Sequence, residues 1–352
     1  MKTTIIKLVR NFGPVGGLEN YVWETIKSIL DKDYNVVVIC NKDYGNQTHP
    51  NLTVYESLIR VIKPRWVEAL LYSNYVEKTL RTLDVKPNES VIFSHERHWN
   101  HDYSVFHGSP YANTRGKPWF KKISIRHFVN VWLEQQQVIS GVRKGVIPVS
   151  EMLSSDLKHY FDHDNIKIAN VIPPAVRKLT VSSFTNEKLD KKIIGFIGYE
   201  WKRKGLIFAI QILEKLLSIN KDWEFWVISK DTKSVEKKVP AKLKHKIKFL
   251  GISNQVGNLL NQFDLLLHPA KAEPYGMVIT EALSMKVPVV ISDKCGAAQD
   301  VTEDRGDILS LKDSDTTWAI RINERLKDGY RGVAFQRDWD TVADEYLSLI
   351  KK

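Results

Sequence analysis

Short apolar runs alternate along this chain with longer segments whose apolar positions recur at helical spacing. "TTIIKLV" (3–9) predicts a strand, Gly13, Gly16 and Gly17 a flexible turn, and "LENYVWETIKSIL" (18–30) a helix with Leu18, Val22, Thr25, Ile26 and Ile29 on one face. "NVVVIC" (35–40) predicts a strand, "WVEALLYSNYVEKTLRTL" (66–83) a helix and "SVIFSH" (90–95) a buried strand. A long helix over 123–140, a strand over 145–150 and a helix over 151–161 follow. The pattern then breaks. Pro173-Pro174 precede "RKLTVSSFTNEKLDKK", which is polar and aperiodic and reads as an interdomain link. Alternation restarts with strands at 192–198 and 224–229 around a helix at 204–217. Next come a strand at 247–251, a helix at 255–263 and a strand at 264–269. "AEPYGMVITEALSMKVPVV" (272–290) reads as loop, helix and buried strand, and "DWDTVADEYLSLIKK" as a last helix.

Strand–helix alternation of this kind predicts parallel sheets covered by helices on both faces. Two such halves predict two Rossmann-type domains facing each other across a cleft. In open parallel sheets, ligands bind beyond the carboxyl ends of the strands. The informative loops are therefore 10–17, 95–119, 198–205, 251–254, 268–277 and 292–298.

Composition narrows the class. The 352 residues suffice for two domains of ordinary size. Hydrophobic residues at 43% and charged residues at 26% describe a soluble globular protein. Two cysteines, Cys40 and Cys295, make no disulfide framework and point to a reducing compartment. The N-terminal apolar run is too short for a signal peptide, and no run of about 18 apolar residues predicts a membrane span. A formal net charge of +11 suits a phosphorylated substrate, an anionic membrane surface or nucleic acid. The nucleic-acid reading lacks a recognition module, and the basic residues are spread over both halves.

Candidate chemistry sits in the post-strand loops. Gly16 and Gly17 would let a ligand approach the backbone at a helix N-terminus. In "GFIGYEWKRKG" (195–205), Arg203 and Lys204 offer a guanidinium fork and a point charge, as a diphosphate requires. Glu273 and Glu281 stand eight positions apart. The first free amides of the predicted helix lie between them, with Pro274 expected at its start. Glu281 would accept from a ribose, and Glu273 from hydroxyls of a bound sugar. His268 stands at a strand end. "SHERHWNHDYSVFH" (94–107) gathers His95, His98, His101 and His107 with Glu96 and Asp102, without the usual zinc spacing. It is expected to be a cleft loop. Asp31-x-Asp33, Asp162-x-Asp164 and Asp338-x-Asp340 follow no cleft strand and read as turn and cap residues.

"EPYGMVITE" resembles the E-x7-E motif of the retaining family 4 glycosyltransferases of GT-B fold, and "GGLEN", "WKRKG", "DLLLHPA" and "EALSMKVPVVIS" match that family in order and spacing. Within it, the chain looks most like the branch that glucosylates the heptose region of the lipopolysaccharide core. The resemblance implies a first domain over 1–170, completed by a C-terminal helix (about 337–352) that crosses back onto it. It implies a donor-binding domain over 171–336. It places Arg203 and Lys204 on the diphosphate of a nucleotide sugar, usually a UDP-sugar in that family, and Glu281 on its ribose. Glu273 and the amides near Tyr275, Gly276 and Met277 would meet the transferred sugar. Gly16 and Gly17 would close over the diphosphate. The aligned aspartate of that branch falls near Gly108, where this chain offers His107. The expected enzyme needs no metal or cofactor and uses a glycan or glycolipid acceptor. It would work in the cytoplasm, at the inner face of the plasma membrane. A sugar-nucleotide epimerase on the same fold is the enzymatic rival.

Overall fold

The computed structural model describes residues 3–57, 59, 63–83, 86, 88–111, 124–161, 165–181, 191–327 and 332–351. The chain divides into two compact units, Met1–Ala175 with Arg337–Lys352, and Val176–Gln336. The first unit contains β1 (Thr4–Leu8), β2 (Asn11–Phe12), β3 (Val36–Cys40), β4 (Lys42–Asp43), β5 (Leu52–Glu56), β6 (Ser90–Ser94), β7 (His101–Phe106) and β8 (Val142–Pro148). The second contains β9 (Lys192–Ile197), β10 (Trp223–Ile228), β11 (Ile247–Gly251), β12 (Leu265–His268), β13 (Val289–Ser292) and β14 (Gly306–Leu309).

The two main sheets have the same plan. The first runs β5-β3-β1-β6-β7-β8 and the second β11-β10-β9-β12-β13-β14, every pair parallel. Numbered within each sheet, both read 3-2-1-4-5-6, the doubly wound order. Strand order reverses between β1 and β6, and again between β9 and β12. Chain ends diverging at these points leave a crevice beyond the strand ends, so this topology fixes where each unit can hold a ligand.

Continuous burial explains the strand sequences. β13 (VVIS) and β12 (LLLH) are buried along their whole length and need no alternation. Unit two packs Phe196, Phe225 and Trp223 of its sheet against Leu213 and Leu216 of helix Leu206–Leu216 and Trp318 of helix Asp315–Arg325. Unit one packs Ile6, Leu8, Ile39 and Ile92 against Tyr72, Val76 and Leu80 of helix Arg65–Thr82.

Helix Trp339–Ile350 is part of the first unit. Its Tyr346 hydroxyl lies 3.0 Å from that of Tyr21 in helix Gly17–Asp31, and Tyr103 of β7 donates to the Leu349 carbonyl at 3.0 Å. Asp338 caps the helix by accepting from the Thr341 amide at 2.8 Å.

Several elements differ from expectation. Residues 94–107 are not one loop, because His101–Phe106 form the fully buried β7. Two of its polar side chains are paired internally: Asp102 accepts from the Ile92 amide at 2.8 Å and from Arg143 at 2.9 Å, and His101 meets the Gln137 carbonyl at 3.0 Å. The long helix of 123–140 is regular only over Ile125–Gln135, and a wider turn follows over Gln136–Ser140. β5, β14 and helix Asp315–Arg325 carry too few strong apolar positions to stand out in the sequence. The helix expected to start at Pro274 starts at Met277.

Gly205, at φ +80°, caps helix Leu206–Leu216 and seats the preceding loop against the loop after β12. A Cβ there would lie 1.9 Å from the Pro269 carbonyl oxygen. Gly205→Ala should therefore lower the melting temperature, since strain of this kind costs roughly 1–3 kcal/mol. An unchanged thermal transition would show that the two loops part without cost.

Candidate active site

The residues expected at the site fall into two groups, one in each unit. In the second unit, both loops at the β9/β12 switch point contribute. The turn after β9 supplies Arg203 and Lys204, and the segment after β12 supplies Glu273. The two loops are joined by the Lys271 amide, which donates to the Arg203 carbonyl at 2.8 Å. Glu273 is pinned through its backbone as well: its amide donates to Lys294 O at 2.9 Å and its carbonyl accepts from Gly296 N at 2.9 Å.

The buried Glu273 carboxylate gathers three partners on one oxygen. Lys204 Nζ stands 2.6 Å from Oε2, Arg203 at 3.4 Å and His268 Nε2 at 3.5 Å. Arg203 is itself braced by Glu200, at 2.6 Å, and by the Ala272 carbonyl. Burial alone would protonate Glu273, but His268, Lys204 and Arg203 outweigh it and hold the carboxyl well below the usual range. Burial drives His268 the other way and keeps its imidazole neutral. Glu273 is therefore an ionised group whose Oε2 is committed to Lys204 and Arg203.

The neighbouring residues set the floor of this site. Gly276, at φ +100°, caps helix Met277–Ser284. A Cβ there would come within 2.9 Å of Ile279 Cδ1 and 3.0 Å of Glu273 Cγ. Tyr275 is buried, and its hydroxyl donates to Asp300 at 2.9 Å. Met277 opens the helix, whose first-turn amides have no acceptor within it. Glu281 sits one turn further along, buried, with Oε1 at 3.2 Å from Arg177 Nε. Burial pushes its pKa up despite Arg177. Arg177 was not foreseen: it lies in the polar link, where nothing in the sequence distinguishes it.

In the first unit, Gly16 caps helix Gly17–Asp31 in extended conformation, and a Cβ on Gly17 would meet nothing within 4 Å. His107 follows β7, its Nε2 2.9 Å from Nδ1 of His95. The Tyr21 ring abuts it edge-on at 4.8 Å. Burial, then the Lys7 charge, pulls His107 down to about 3, and the same two causes lower His95. The pair is neutral and shares one N–H. Both rings line a cavity of about 330 Å³. His98 and His101 do not join them. They are fully buried, His98 beside Glu77 at 3.3 Å and His101 against the Gln137 carbonyl at 3.0 Å, so both are packing groups. Among the described residues no group of His, Cys, Asp and Glu could hold a metal ion. Asp162-x-Asp164 lies outside the described residues.

The family described as "Glycosyl transferases group 1" matches residues 191–350. The chain is 24% identical over 315 residues to the phosphatidylinositol N-acetylglucosaminyltransferase GPI3 subunit of Saccharomyces cerevisiae, covering 80% of this chain and 66% of that one. It is 30% identical over 110 residues to the lipopolysaccharide glucosyltransferase WaaG of Escherichia coli, covering 30% of this chain and 29% of WaaG. The chain thus spans less than two thirds of the length of these curated relatives. The crystal structure of WaaG superposes with a TM-score of 0.75 at 18% identity, over 98% of this chain and 95% of that one. Anabaena HepE, crystallised with UDP and glucose, gives 0.67 at 16% identity, over 99% of each chain. The fold is GT-B.

Because the folded pKa of Glu273 lies below its unfolded value, its stabilisation of the protein is complete above about pH 4.3 and fades as pH falls through the folded value. Glu273→Gln should cost about 3 kcal/mol at pH 7, as expected for removing one member of a buried ion pair. The gap to the parent protein should narrow as the pH is lowered below 4. Chemical denaturation at several pH values measures it, and a gap that is absent at pH 7 would remove Glu273 from this electrostatic role.

Proposed function

We propose that the protein transfers a sugar, with retention, from a nucleotide sugar such as UDP-glucose to a hydroxyl of a glycan or glycolipid. The observation that carries this reading is the Glu273–Lys204–Arg203–His268 cluster at the β9/β12 switch point. Lys204 and Arg203 neutralise the diphosphate, aided by the amides at the start of helix Met277–Ser284. Glu281 takes the ribose hydroxyls when Arg177 yields. Glu273 accepts from hydroxyls of the transferred sugar, and Gly17 leaves the start of helix Gly17–Asp31 open to a ligand. UDP as the nucleotide is supported by the HepE complex. A role in the lipopolysaccharide core or another surface polysaccharide is supported by the likeness to WaaG.

A double displacement would need a free carboxylate at the anomeric carbon, and Glu273 is held by two cations and an imidazole. The reaction therefore proceeds on one face. The bond from anomeric carbon to phosphate oxygen breaks, the acceptor oxygen bonds to that carbon, and its proton passes to the departing phosphate. The two cations replace a metal ion in stabilising the leaving group. His107 lies in the first unit, as a neutral imidazole able to contact a sugar hydroxyl.

The test is turnover of UDP-glucose with a core-oligosaccharide acceptor in EDTA, with the anomeric configuration of the product read by NMR. A retained configuration is expected, and Lys204→Ala or Arg203→Ala should each weaken UDP binding at least about tenfold, the loss of one charge-assisted contact. Full dependence on added Mg²⁺, or donor breakdown without acceptor, would overturn the metal-free transferase reading.

The acceptor reading extends to the membrane. Among the described residues no helix is long and apolar enough to cross one. Helix Ile125–Gln135 exposes Ile125 (70%), Phe128 (62%) and Trp132 (44%) along one stripe, with Arg126 beside it. Arg115, Lys117, Lys121 and Lys122 precede it in the sequence, outside the described residues. The apolar stripe with its basic neighbours supports a contact with anionic lipid, and with it a location at the cytoplasmic face of the membrane. Phe128→Glu combined with Ile125→Glu should reduce flotation with phosphatidylglycerol vesicles severalfold. Equal recovery of parent and variant would exclude this helix as the contact.

A further inference from the structure

The cavity beside His107 carries more positive charge than a neutral sugar needs. Arg10, Arg65, Arg97 and Arg126 all line it, against one lining carboxylate, Glu96. It lies at the switch point of the first sheet: Arg10 follows β1, His95, Glu96 and Arg97 follow β6, and His107 follows β7.

The four arginines divide into two kinds. Arg10 is neutralised by Glu96 at 2.8 Å. Arg97 is held by the buried Glu134 at 3.3 Å and by Asn130 Oδ1 at 2.7 Å. Arg65 and Arg126 are exposed and have no carboxylate partner among the described residues. Residues 58, 60–62 and 112–123, which lie outside the described residues, include no Asp or Glu. Among the described residues, these two guanidinium charges of the cavity lining have no carboxylate against them. A buried nitrogen faces the same need: His95 is 3% exposed, and its Nε2 has no hydrogen-bond partner. With both imidazoles neutral, the histidines add no charge of their own.

We propose that this pocket binds a phosphate group carried by the acceptor sugar, so that the acceptor is a phosphorylated glycan. The proposal rests on the transferase reading above for the word acceptor, but the pocket's chemistry stands on its own residues. Two unpaired guanidinium groups match a phosphate monoester, which carries about −1.5 to −2 at pH 7, better than a singly charged carboxylate. Each guanidinium can offer two parallel N–H donors to phosphate oxygens. His95 Nε2 gains the partner it lacks, from a phosphate oxygen or a ring hydroxyl according to which nitrogen holds its proton. The second unit's cations stand on Glu273 and Glu200 and serve the donor, so the two phosphate-binding sites are separate in sequence and in electrostatics.

Calorimetric titration of the full-length protein with glucose 6-phosphate, glucose and glucuronate tests this, with and without saturating UDP. Glucose 6-phosphate should bind at least about tenfold more tightly than either of the others, a difference of roughly 1.4 kcal/mol. Its affinity should fall as salt rises. Arg65→Gln/Arg126→Gln should erase the preference while leaving UDP affinity unchanged. Arg65→Lys/Arg126→Lys, which keeps the charge but loses the fork, should retain part of it, and melting temperatures of all variants confirm the fold. Equal binding of the three ligands, or a preference that survives the glutamine double variant, would overturn the proposal. Glucuronate binding as tightly as glucose 6-phosphate would do the same. So would phosphatidic acid in phosphatidylcholine vesicles displacing glucose 6-phosphate at equal phosphate concentration, since the pocket would then belong to a lipid headgroup. Selective binding of glucose 6-phosphate by a protein that does not bind UDP would uphold the pocket and sink the donor assignment instead.

Discussion

The charge on Glu273 organises the second unit's site. A buried carboxylate is costly unless its neighbours repay the lost hydration. Here the repayment comes from Lys204, Arg203 and His268 together, at 2.6, 3.4 and 3.5 Å. The arrangement constrains everything around it. Gly276 must lack a Cβ so that the chain can turn beside the carboxylate, and Gly205 must lack one so that the loop bearing the two cations can lie against the loop after β12. The cluster thereby joins the turn after β9 to β12 and the segment that follows it.

Topology explains why the charged groups gather where they do. Both sheets have the 3-2-1-4-5-6 order, and in both the functional side chains follow the central strands at the reversal. Backbone donors and acceptors at strand ends are unpaired by the sheet, so polar loops can be accommodated there without breaking ladder bonds. The same geometry has been filled with different chemistry. Unit two places an ionised glutamate among cations. Unit one places two neutral imidazoles among arginines, with burial and Lys7 keeping protons off the rings.

Much of this was legible in the sequence, for physical reasons that differ by element. Buried parallel strands such as Val289–Ser292 and Leu265–His268 announce themselves as unbroken apolar runs. Arg203, Lys204, Glu273 and Glu281 were visible because each stands in a post-strand loop or just beyond it. β7 was hidden, because His101 and Asp102 look like loop residues until their internal partners are known. The same blindness merged His98 and His101 with His107, although only His107 and His95 reach the cavity. The start of helix Met277–Ser284 was misplaced by one turn because Pro274 is a good first residue, whereas the left-handed Gly276 ended up as the cap. Arg177 and the four cavity arginines come together only through folding, and their spacing in the chain carries no trace of it.

The pairing of Lys204 with Glu273 and of Arg177 with Glu281 bears on how a nucleotide sugar would enter. Each ligand-facing group has a protein partner already, so binding is an exchange of partners and not the filling of bare charges. A diphosphate offers Lys204 and Arg203 more negative charge than one carboxylate does, which favours the exchange. Glu273 then loses cation contacts but retains His268 and gains sugar hydroxyls. Glu281 differs, because burial has already raised its pKa and ribose hydroxyls supply hydrogen bonds without a full charge. Releasing Arg177 from it therefore leaves the guanidinium without its carboxylate unless Arg177 finds an anion of its own. A nucleotide phosphate is the nearest chemistry that would satisfy it. The interplay makes affinity depend on the whole nucleotide, since neither the sugar nor the ribose alone compensates the pairs it breaks.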